Sequence, residues 1–277
     1  MFSNTVLSDN LYSGGRFKKN HMENLIKRIL LPIKLDGDFM RAIRPVAELA
    51  YSHGAELHLL YIGDPAVYRS SLWWFHPKVA PLELTKEKAS SLQTIKEITS
   101  SKFTISVFAS IEWGKWRSVL LSHAESIKAD LIVLNEAAIP RKKITSLKSN
   151  LEYIIEKSQC QVITLLTPQT QKVGWNLVVI PITDFIPEIR LQTILETAIL
   201  QQMKVHLITI TPEETGQSSA DFFYLTETLK RLKPAANLQV ECHCLKNSYN
   251  PIDSFLHYAR SVGADLLMTR MSNTRLQ

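Results

Sequence analysis

The amino-acid sequence repeats one pattern of elements, and this internal repetition constrains the fold more than any other feature. In each half, short apolar runs typical of buried strands alternate with stretches whose apolar residues recur at helical spacing. Matching positions of the two halves carry the same residues: Pro32 and Pro181, His58 and His206, Ala129 and Ala264, and Asp130 and Asp265. Strands that alternate with helices over short connections predict parallel sheets with right-handed crossovers.

The first half contains the fuller set of predicted elements. We predict strands at 28–33, 56–62, 103–109, 131–134 and 160–166. We predict helices that begin near 38, 84, 112 and 146, with Asp38 as the N-cap of the first. Each helix carries apolar residues on one face, as expected where helices cover a sheet.

The second half repeats these elements and stops earlier. Its predicted strands are 176–182, 204–210, 238–245 and 264–268, with helices starting near Pro187 and at 221–232 and 251–262. The sequence ends at Gln277, so we expect this half to lack the last helix and strand. The predicted organisation is a disordered leader at 1–27, a first domain at 28–167, a linker at 168–175 and a second domain at 176–277.

Composition narrows the class of protein. A chain of 277 residues exceeds one typical domain of about 150 residues, and 45% hydrophobic residues are enough for two cores. No apolar run reaches the ~18 residues of a membrane span, and the first 21 residues hold no signal-peptide core. Three cysteines are not a disulfide framework, which predicts a cytoplasmic location. A dispersed net charge of +6 without a basic, aromatic stripe argues against nucleic-acid binding.

The stretch from 129 to 162 holds the candidate binding site. A buried strand at 131–134 ends in a polar break at Asn135, and the basic run 141–143 precedes a helix and a further strand. In an open parallel sheet, ligands bind where such a loop leaves the carboxyl end of its strand. The basic run is either a solvated loop or an attractor for anions.

This stretch resembles the universal stress protein family. Its members carry an Ala-Asp-Leu-Ile-Val-like strand, then Gly, two residues, Gly, nine residues and Gly-Ser or Gly-Thr, a loop whose backbone amides hold the phosphates of ATP. The resemblance implies an α/β fold of two consecutive doubly wound parallel-sheet domains, Rossmann-like and adenine nucleotide alpha hydrolase-like, with strand order 3-2-1-4-5. It also implies an acidic residue at the end of the first strand, in contact with the nucleotide base.

The family's nucleotide motif is degraded in this chain. Without a gap, its three glycines fall on Asn135, Ala138 and Lys148, and its hydroxyl residue falls on Ser149. A Cβ at a glycine position obstructs the close approach of backbone to phosphate. Lys34 replaces the acidic residue, although Asp36 lies close by, and in the second half the first two glycines fall on Arg270 and Asn273. The candidate degenerate nucleotide site is therefore Lys34, Asp36, Asn135, Ala138, Lys148 and Ser149.

The resemblance and its departures predict a tandem universal stress protein that acts in stress-response regulation or interaction, with weak or lost ATP binding and no cofactor. The alternative is ATP, AMP or another small anion in the first domain, held by Lys34, Lys148, Ser149 and the run 141–143. No catalytic motif is present, so we expect no enzymatic activity and no catalytic residues. The family implies a homodimer, and we expect an unidentified protein partner but neither nucleic acid nor a membrane.

The aromatic residues and the cysteines each allow two interpretations. The aromatic run at 72–76 either meets a partner or packs within the subunit, and Trp113 either roofs a ligand or packs as a lid. Cys242 and Cys244, with His206 near, either bind zinc or are core residues. Same-face thiols on a strand converge poorly on a metal, so we favour core cysteines and no metal site. Cys160 is likewise predicted to be a small buried residue.

Overall fold

A nine-stranded sheet runs through both halves of the chain and carries helices on its two faces. The computed structural model of the protein describes residues 26–35, 39–64, 82–135, 139, 144–166, 175–182, 186–200, 202–211, 219–246 and 251–269. The predicted leader except its last two residues, nearly all of the predicted linker, the aromatic run at 72–76, the basic run at 141–143 and the last eight residues lie outside this part of the chain.

The predicted strands and helices are present among the described residues, with shifts at their ends. The strands are β1 (Arg28–Ile33), β2 (Glu56–Gly63), β3 (Val107–Trp113), β4 (Leu131–Asn135), β5 (Gln161–Leu165), β6 (Leu177–Pro181), β7 (Met203–Thr211), β8 (Leu238–Lys246) and β9 (Leu266–Thr269). The helices are α1 (Phe39–His53), α2 (Leu82–Phe103), α3 (Trp116–Ser126), α4 (Ile144–Lys157), α5 (Glu188–Leu200), α6 (Ser219–Leu232) and α7 (Pro251–Ser261).

The strand order is β3-β2-β1-β4-β5-β9-β6-β7-β8. The order 3-2-1-4-5 predicted for the first half is therefore confirmed. Read from β8, the four described strands of the second half follow the order 3-2-1-4 in the numbering of their repeat, which is the same order for those four strands. The two halves join into one sheet because β5 and β9 pair antiparallel, with Ile163 opposite Met268 and Thr164 opposite Leu267. This pairing satisfies backbone groups that an open strand edge would leave exposed.

Helices cover both faces of the sheet, as a doubly wound α/β fold requires. One face packs against α1, α2, α5 and α6, and the other packs against α3, α4 and α7. Each of the two apolar clusters contains residues from both halves of the chain. The core is therefore continuous across the β5–β9 junction. No described helix has the length and apolar character needed to cross a bilayer.

The third strand lies four residues later than predicted. Helix α2 continues to Phe103, and Thr104 has a left-handed φ of 54° that ends it. Strand β3 then runs to Trp113, which pairs with Gly63 on β2, so Trp113 ends a strand and does not open a helix. A Cβ on Gly63 would lie 2.3 Å from the Trp113 ring, and Tyr61 meets that ring edge-on at 6.4 Å. These contacts favour the interpretation of Trp113 as a packing lid.

The expectation of core cysteines is wrong for two of the three. Cys242 and Cys244 are exposed because β8 is the outer strand of the sheet, with a neighbour on one side only among the described strands. Cys160 is half-buried, and its Sγ lies 3.4 Å from Ser158 Oγ.

The Ala-Asp pair of each half fixes one strand against its neighbour. Asp130 Oδ2 accepts hydrogen bonds from the backbone N–H groups of Lys27 and Arg28, each at 2.9 Å. The backbone N–H of Asp130 in turn donates to the Arg28 carbonyl at 3.0 Å. The N–H of Ala129 donates to the Ala124 carbonyl near the C-terminal end of α3. The carboxylate thus ties the start of β1 to the start of β4.

The second half repeats this arrangement with the same atoms. Asp265 Oδ2 accepts from the N–H groups of Asn176 and Leu177 at 2.8 and 3.0 Å, and the Asp265 N–H donates to the Leu177 carbonyl at 2.9 Å. The Ala-Asp motif is therefore a structural element in both halves.

Replacing Asp130 by Ala should lower the free energy of unfolding by about 2–3 kcal/mol, because two backbone donors lose a charged acceptor. Asp130→Asn keeps one oxygen acceptor and should lower the free energy of unfolding by less. The exposed Glu125→Ala on the preceding helix serves as the control and should change stability by less than about 0.5 kcal/mol. Urea denaturation followed by circular dichroism measures all three, and an Asp130→Ala midpoint equal to that of Glu125→Ala would contradict this role.

Candidate functional site

The first candidate crevice lies between β1 and β4, where the chain leaves the sheet toward opposite faces. After β1 the chain enters α1 on one face, and after β4 it enters α4 on the other. The two strands are adjacent and parallel, with Ile29 opposite Leu131 and Leu30 opposite Ile132. Such a switch point at the carboxyl ends of parallel strands is where open α/β sheets bind ligands.

Two of the six predicted site residues lie at this crevice. Continuing the register of β1 and β4 brings Ile33 opposite Asn135, so Lys34 and Asn135 lie at the same edge of the sheet. Lys34 is exposed and Asn135 is half-buried. Asp36 and Ala138 lie outside the described residues. Lys148 and Ser149 lie on α4, but their side chains are outside the described part of the structure.

Asn135 keeps strand geometry at the position of the family's first glycine. It is the last residue of β4 and pairs with Leu165 on β5. Among the described non-glycine residues only Thr104 and Lys128 have a positive φ, so Asn135 does not adopt the left-handed conformation that a phosphate-binding turn requires. Its side chain therefore occupies the end of the strand, where a glycine would leave backbone uncovered.

The matching crevice of the second half, between the parallel strands β6 and β9, holds an arginine side chain. Arg190 is in the first turn of α5 and is only 2% exposed. Its Nη1 donates to the Met268 carbonyl at 3.0 Å and to the Pro181 carbonyl at 3.4 Å. These carbonyls belong to β9 and β6, so the guanidinium bridges the two strands beside their carboxyl ends.

The first half has a small residue where Arg190 lies. Helix α1 buries Ala42, Ile43, Val46 and Ala50, and α5 buries Arg190, Leu191, Ile194 and Ala198 at the same spacing. By this pattern Arg190 corresponds to Ala42, so the two crevices differ in the charge and size of this side chain. Sequence reasoning missed Arg190, although an arginine on the apolar face of a predicted helix was a visible signal.

The repeated histidines lie on the sheet face covered by α3, α4 and α7. His58 on β2 stacks on Phe108 with the rings 4.8 Å apart, and its Nε2 lies 3.4 Å from Glu56 Oε2. Burial lowers the pKa of His58 below its ordinary value, although Glu56 opposes this shift. On the same face, His123 Nδ1 lies 2.5 Å from Glu112 Oε1.

His206, the counterpart on β7, has a different set of neighbours. Its Nδ1 lies 2.8 Å from the Tyr258 hydroxyl, and Glu241 and His243 on β8 lie beside its other ring nitrogen. Burial lowers the pKa of His206, and the neighbouring His243 acts in the same direction while Glu241 opposes it. His206 is thus favoured in its neutral form.

Comparison with known proteins agrees with this architecture. A universal stress protein from Archaeoglobus fulgidus superposes with a TM-score of 0.56 at 13% identity, over 86% of this chain and 82% of that one. The cytoplasmic domain of a prokaryotic cation chloride cotransporter gives a TM-score of 0.50 at 14% identity, over 87% and 94%. The universal stress protein UspA from Lactobacillus plantarum, with a TM-score of 0.41 at 20% identity, covers 50% of this chain and 97% of its own.

A sequence comparison with curated proteins finds no match. The model of the universal stress protein family, in contrast, matches residues 25–165, which is more than half of the chain and includes every predicted site residue. The strand order of that segment, its Ala-Asp strand and its switch-point crevice are those that the resemblance implied. The chain belongs to the universal stress protein family.

Proposed function

We propose that this chain is a tandem member of its family that acts as a stress-response regulatory or interaction protein and binds ATP weakly or not at all. One observation carries the proposal: a side chain stands at the first switch-point crevice where glycine backbone would hold a phosphate, and a buried arginine occupies the second crevice. Asn135 ends β4 in the first half, and Arg190 bridges β6 and β9 in the second. The protein then works through its surface.

In the second half, Arg190 competes directly with any ligand. Arg190 is only 2% exposed, and a phosphate that took Nη1 from the Met268 and Pro181 carbonyls would leave them without this donor. Each buried carbonyl left without a donor would cost about 1–3 kcal/mol. That cost supports a structural role for Arg190 and an absence of nucleotide binding between β6 and β9.

In the first half, the changes remove two kinds of recognition. A side chain on Asn135 hinders close approach of the backbone to a phosphate. Lys34, which is exposed at the end of β1, replaces the acidic residue that the resemblance assigns to base recognition. Both changes weaken the binding of adenine nucleotides. Lys34 still attracts anions, but its charge does not distinguish an adenine nucleotide from any other anion.

The second candidate function follows from the same lysine. Lys34 presents an exposed ammonium at the crevice of the first half, where α1 carries the small Ala42 at the position of Arg190. A small anion, including AMP or ATP, could be held there by charge alone, with Lys148, Ser149 and the run 141–143 as further partners. We also propose that the protein has no enzymatic activity, because the sequence contains no catalytic motif. We propose a cytoplasmic location because three cysteines do not make a disulfide framework.

Calorimetric titration of the full chain with ATP and with AMP, each with Mg²⁺, tests the proposal. We expect no saturable binding tighter than about 1 mM, which corresponds to roughly −4 kcal/mol. Tight ATP binding that survives Lys34→Glu would contradict the proposal. Tighter binding that Lys34→Glu abolishes and the exposed Lys86→Glu leaves unchanged would instead establish the second candidate function.

The homodimer that the family implies is also a proposal. Strand β5 already pairs with β9 inside the chain, so an intersubunit contact would use another surface, such as the outer strands β3 and β8 or the exposed Phe223 on α6. We expect light scattering coupled to size-exclusion chromatography to give twice the mass of one chain at micromolar concentration. A monomer mass across the accessible concentration range would reject the dimer.

A further inference from the structure

Two histidines and a glutamate converge at the outer edge of the sheet in the second half, on the face covered by α7. His206 lies on β7, and the register places it opposite Glu241 on β8, with His243 two residues further along. Residues two apart on a strand point to the same face. The strand pairing therefore brings residues that are about 35 positions apart in sequence to one place.

The distances between these side chains resemble those between the ligands of one metal ion. Glu241 Oε2 lies 3.3 Å from His206 Nε2 and 3.4 Å from His243 Nε2. All three candidate ligand atoms lie within 4.8 Å of one another. Tetrahedral Zn²⁺ with bonds of about 2.0–2.2 Å holds its ligand atoms roughly 3.3–3.5 Å apart. The two distances from Glu241 Oε2 to the histidine nitrogens already have about that length.

The Nε2 atom of His206 is buried and has no hydrogen-bond partner among the described residues. The His206 side chain is only 6% exposed, so bulk solvent has little access to it. A buried polar atom without a partner costs about 1–3 kcal/mol, and a coordinated cation would remove that cost.

Tyr258 supplies the outer contact that metal-binding histidines usually have. Its hydroxyl lies 2.8 Å from His206 Nδ1. When Nδ1–H donates to this oxygen, the Nε2 lone pair points toward Glu241 and His243.

We propose that His206, Glu241 and His243 form a binding site for one divalent transition-metal ion of the Zn²⁺ class, with the fourth position open to water. Two nitrogens and one carboxylate oxygen suit Zn²⁺ and its neighbours, whereas Mg²⁺ and Ca²⁺ prefer oxygen ligands alone. His243 and Glu241 are 35% and 41% exposed at their side chains, so an ion can enter from the edge of the sheet.

Lys204 sets a limit on the affinity of this site. Its Nζ lies 2.6 Å from Glu241 Oε1. Oε2 therefore remains available to a cation, but the ammonium repels a nearby cation. Replacing Lys204 by Met should tighten metal binding.

Two features of the molecule argue for one site per chain. On β7 and β8, His206 lies opposite Glu241, whereas on β2 and β3 its counterpart His58 lies opposite Phe108. The first half therefore has no carboxylate at the position equivalent to Glu241. The exposed Cys242 and Cys244 alternate with Glu241 and His243 along β8 and therefore point to the opposite face of the sheet. The proposed site uses no thiolate.

Titration of the chelator-treated full chain with Zn²⁺ by calorimetry, and with Co²⁺ by visible absorption, tests the proposal. We expect one ion per chain and tetrahedral Co²⁺ bands. Glu241→Gln and His243→Gln should each weaken binding at least tenfold, and Tyr258→Phe should weaken it about tenfold. The exposed His257→Gln on α7 and the double variant Cys242→Ser, Cys244→Ser are the controls and should bind as the unmodified chain does.

Three results would overturn the proposal: no saturable binding, binding that Glu241→Gln and His243→Gln leave unchanged, or binding that only the thiol variant removes. Glu241 and His243 are partly exposed, so their amide replacements should fold, and circular dichroism verifies this before titration. Zn²⁺ should also raise the midpoint of thermal unfolding of the unmodified chain, and not that of Glu241→Gln, because an ion that binds only the folded state stabilises it.

Discussion

A single carboxylate in each half holds the sheet in register. Asp130 accepts from the N–H groups of Lys27 and Arg28 at the entry to β1, and Asp265 accepts from the equivalent groups at the entry to β6. Each aspartate lies four residues after the end of a helix and directly precedes a buried strand. Because strands rise about 3.3 Å per residue, fixing one end of two parallel strands also fixes where their carboxyl ends lie. The crevices at those opposite ends depend on this interaction.

The two crevices differ in the side chain that the covering helix supplies. The first has the small Ala42 at its helix side, whereas Arg190 bridges the strands of the second through the Met268 and Pro181 carbonyls. A guanidinium is planar and carries several donors, so it can satisfy carbonyls of two strands at once. The buried arginine thus joins β6 to β9 and removes space from the crevice. The difference between the halves comes from side chains on equivalent backbones.

The sequence predicted the fold in most respects because buried strands and amphipathic helices leave local patterns. Errors arose where contacts between distant residues decided the outcome. Strand β3 begins at Val107 because α2 continues to Phe103 and pairing with β2 extends to Trp113. Cys242 is exposed because β8 lies at the edge of the sheet, a position that no local pattern encodes. Of the candidate site residues, Lys34 and Asn135 lie at the same edge of the sheet, as the register of β1 and β4 places them.

By itself the sequence determined the twofold repetition, the parallel strands and the place of the first crevice, since each depends on residue types at short spacing. Only the tertiary structure decided that β5 and β9 join the halves into one sheet, that Arg190 enters the second crevice, and that His206 meets Glu241 and His243. These features are contacts between segments far apart in the chain. Their formation depends on strand register and packing, which periodicity within a segment does not specify.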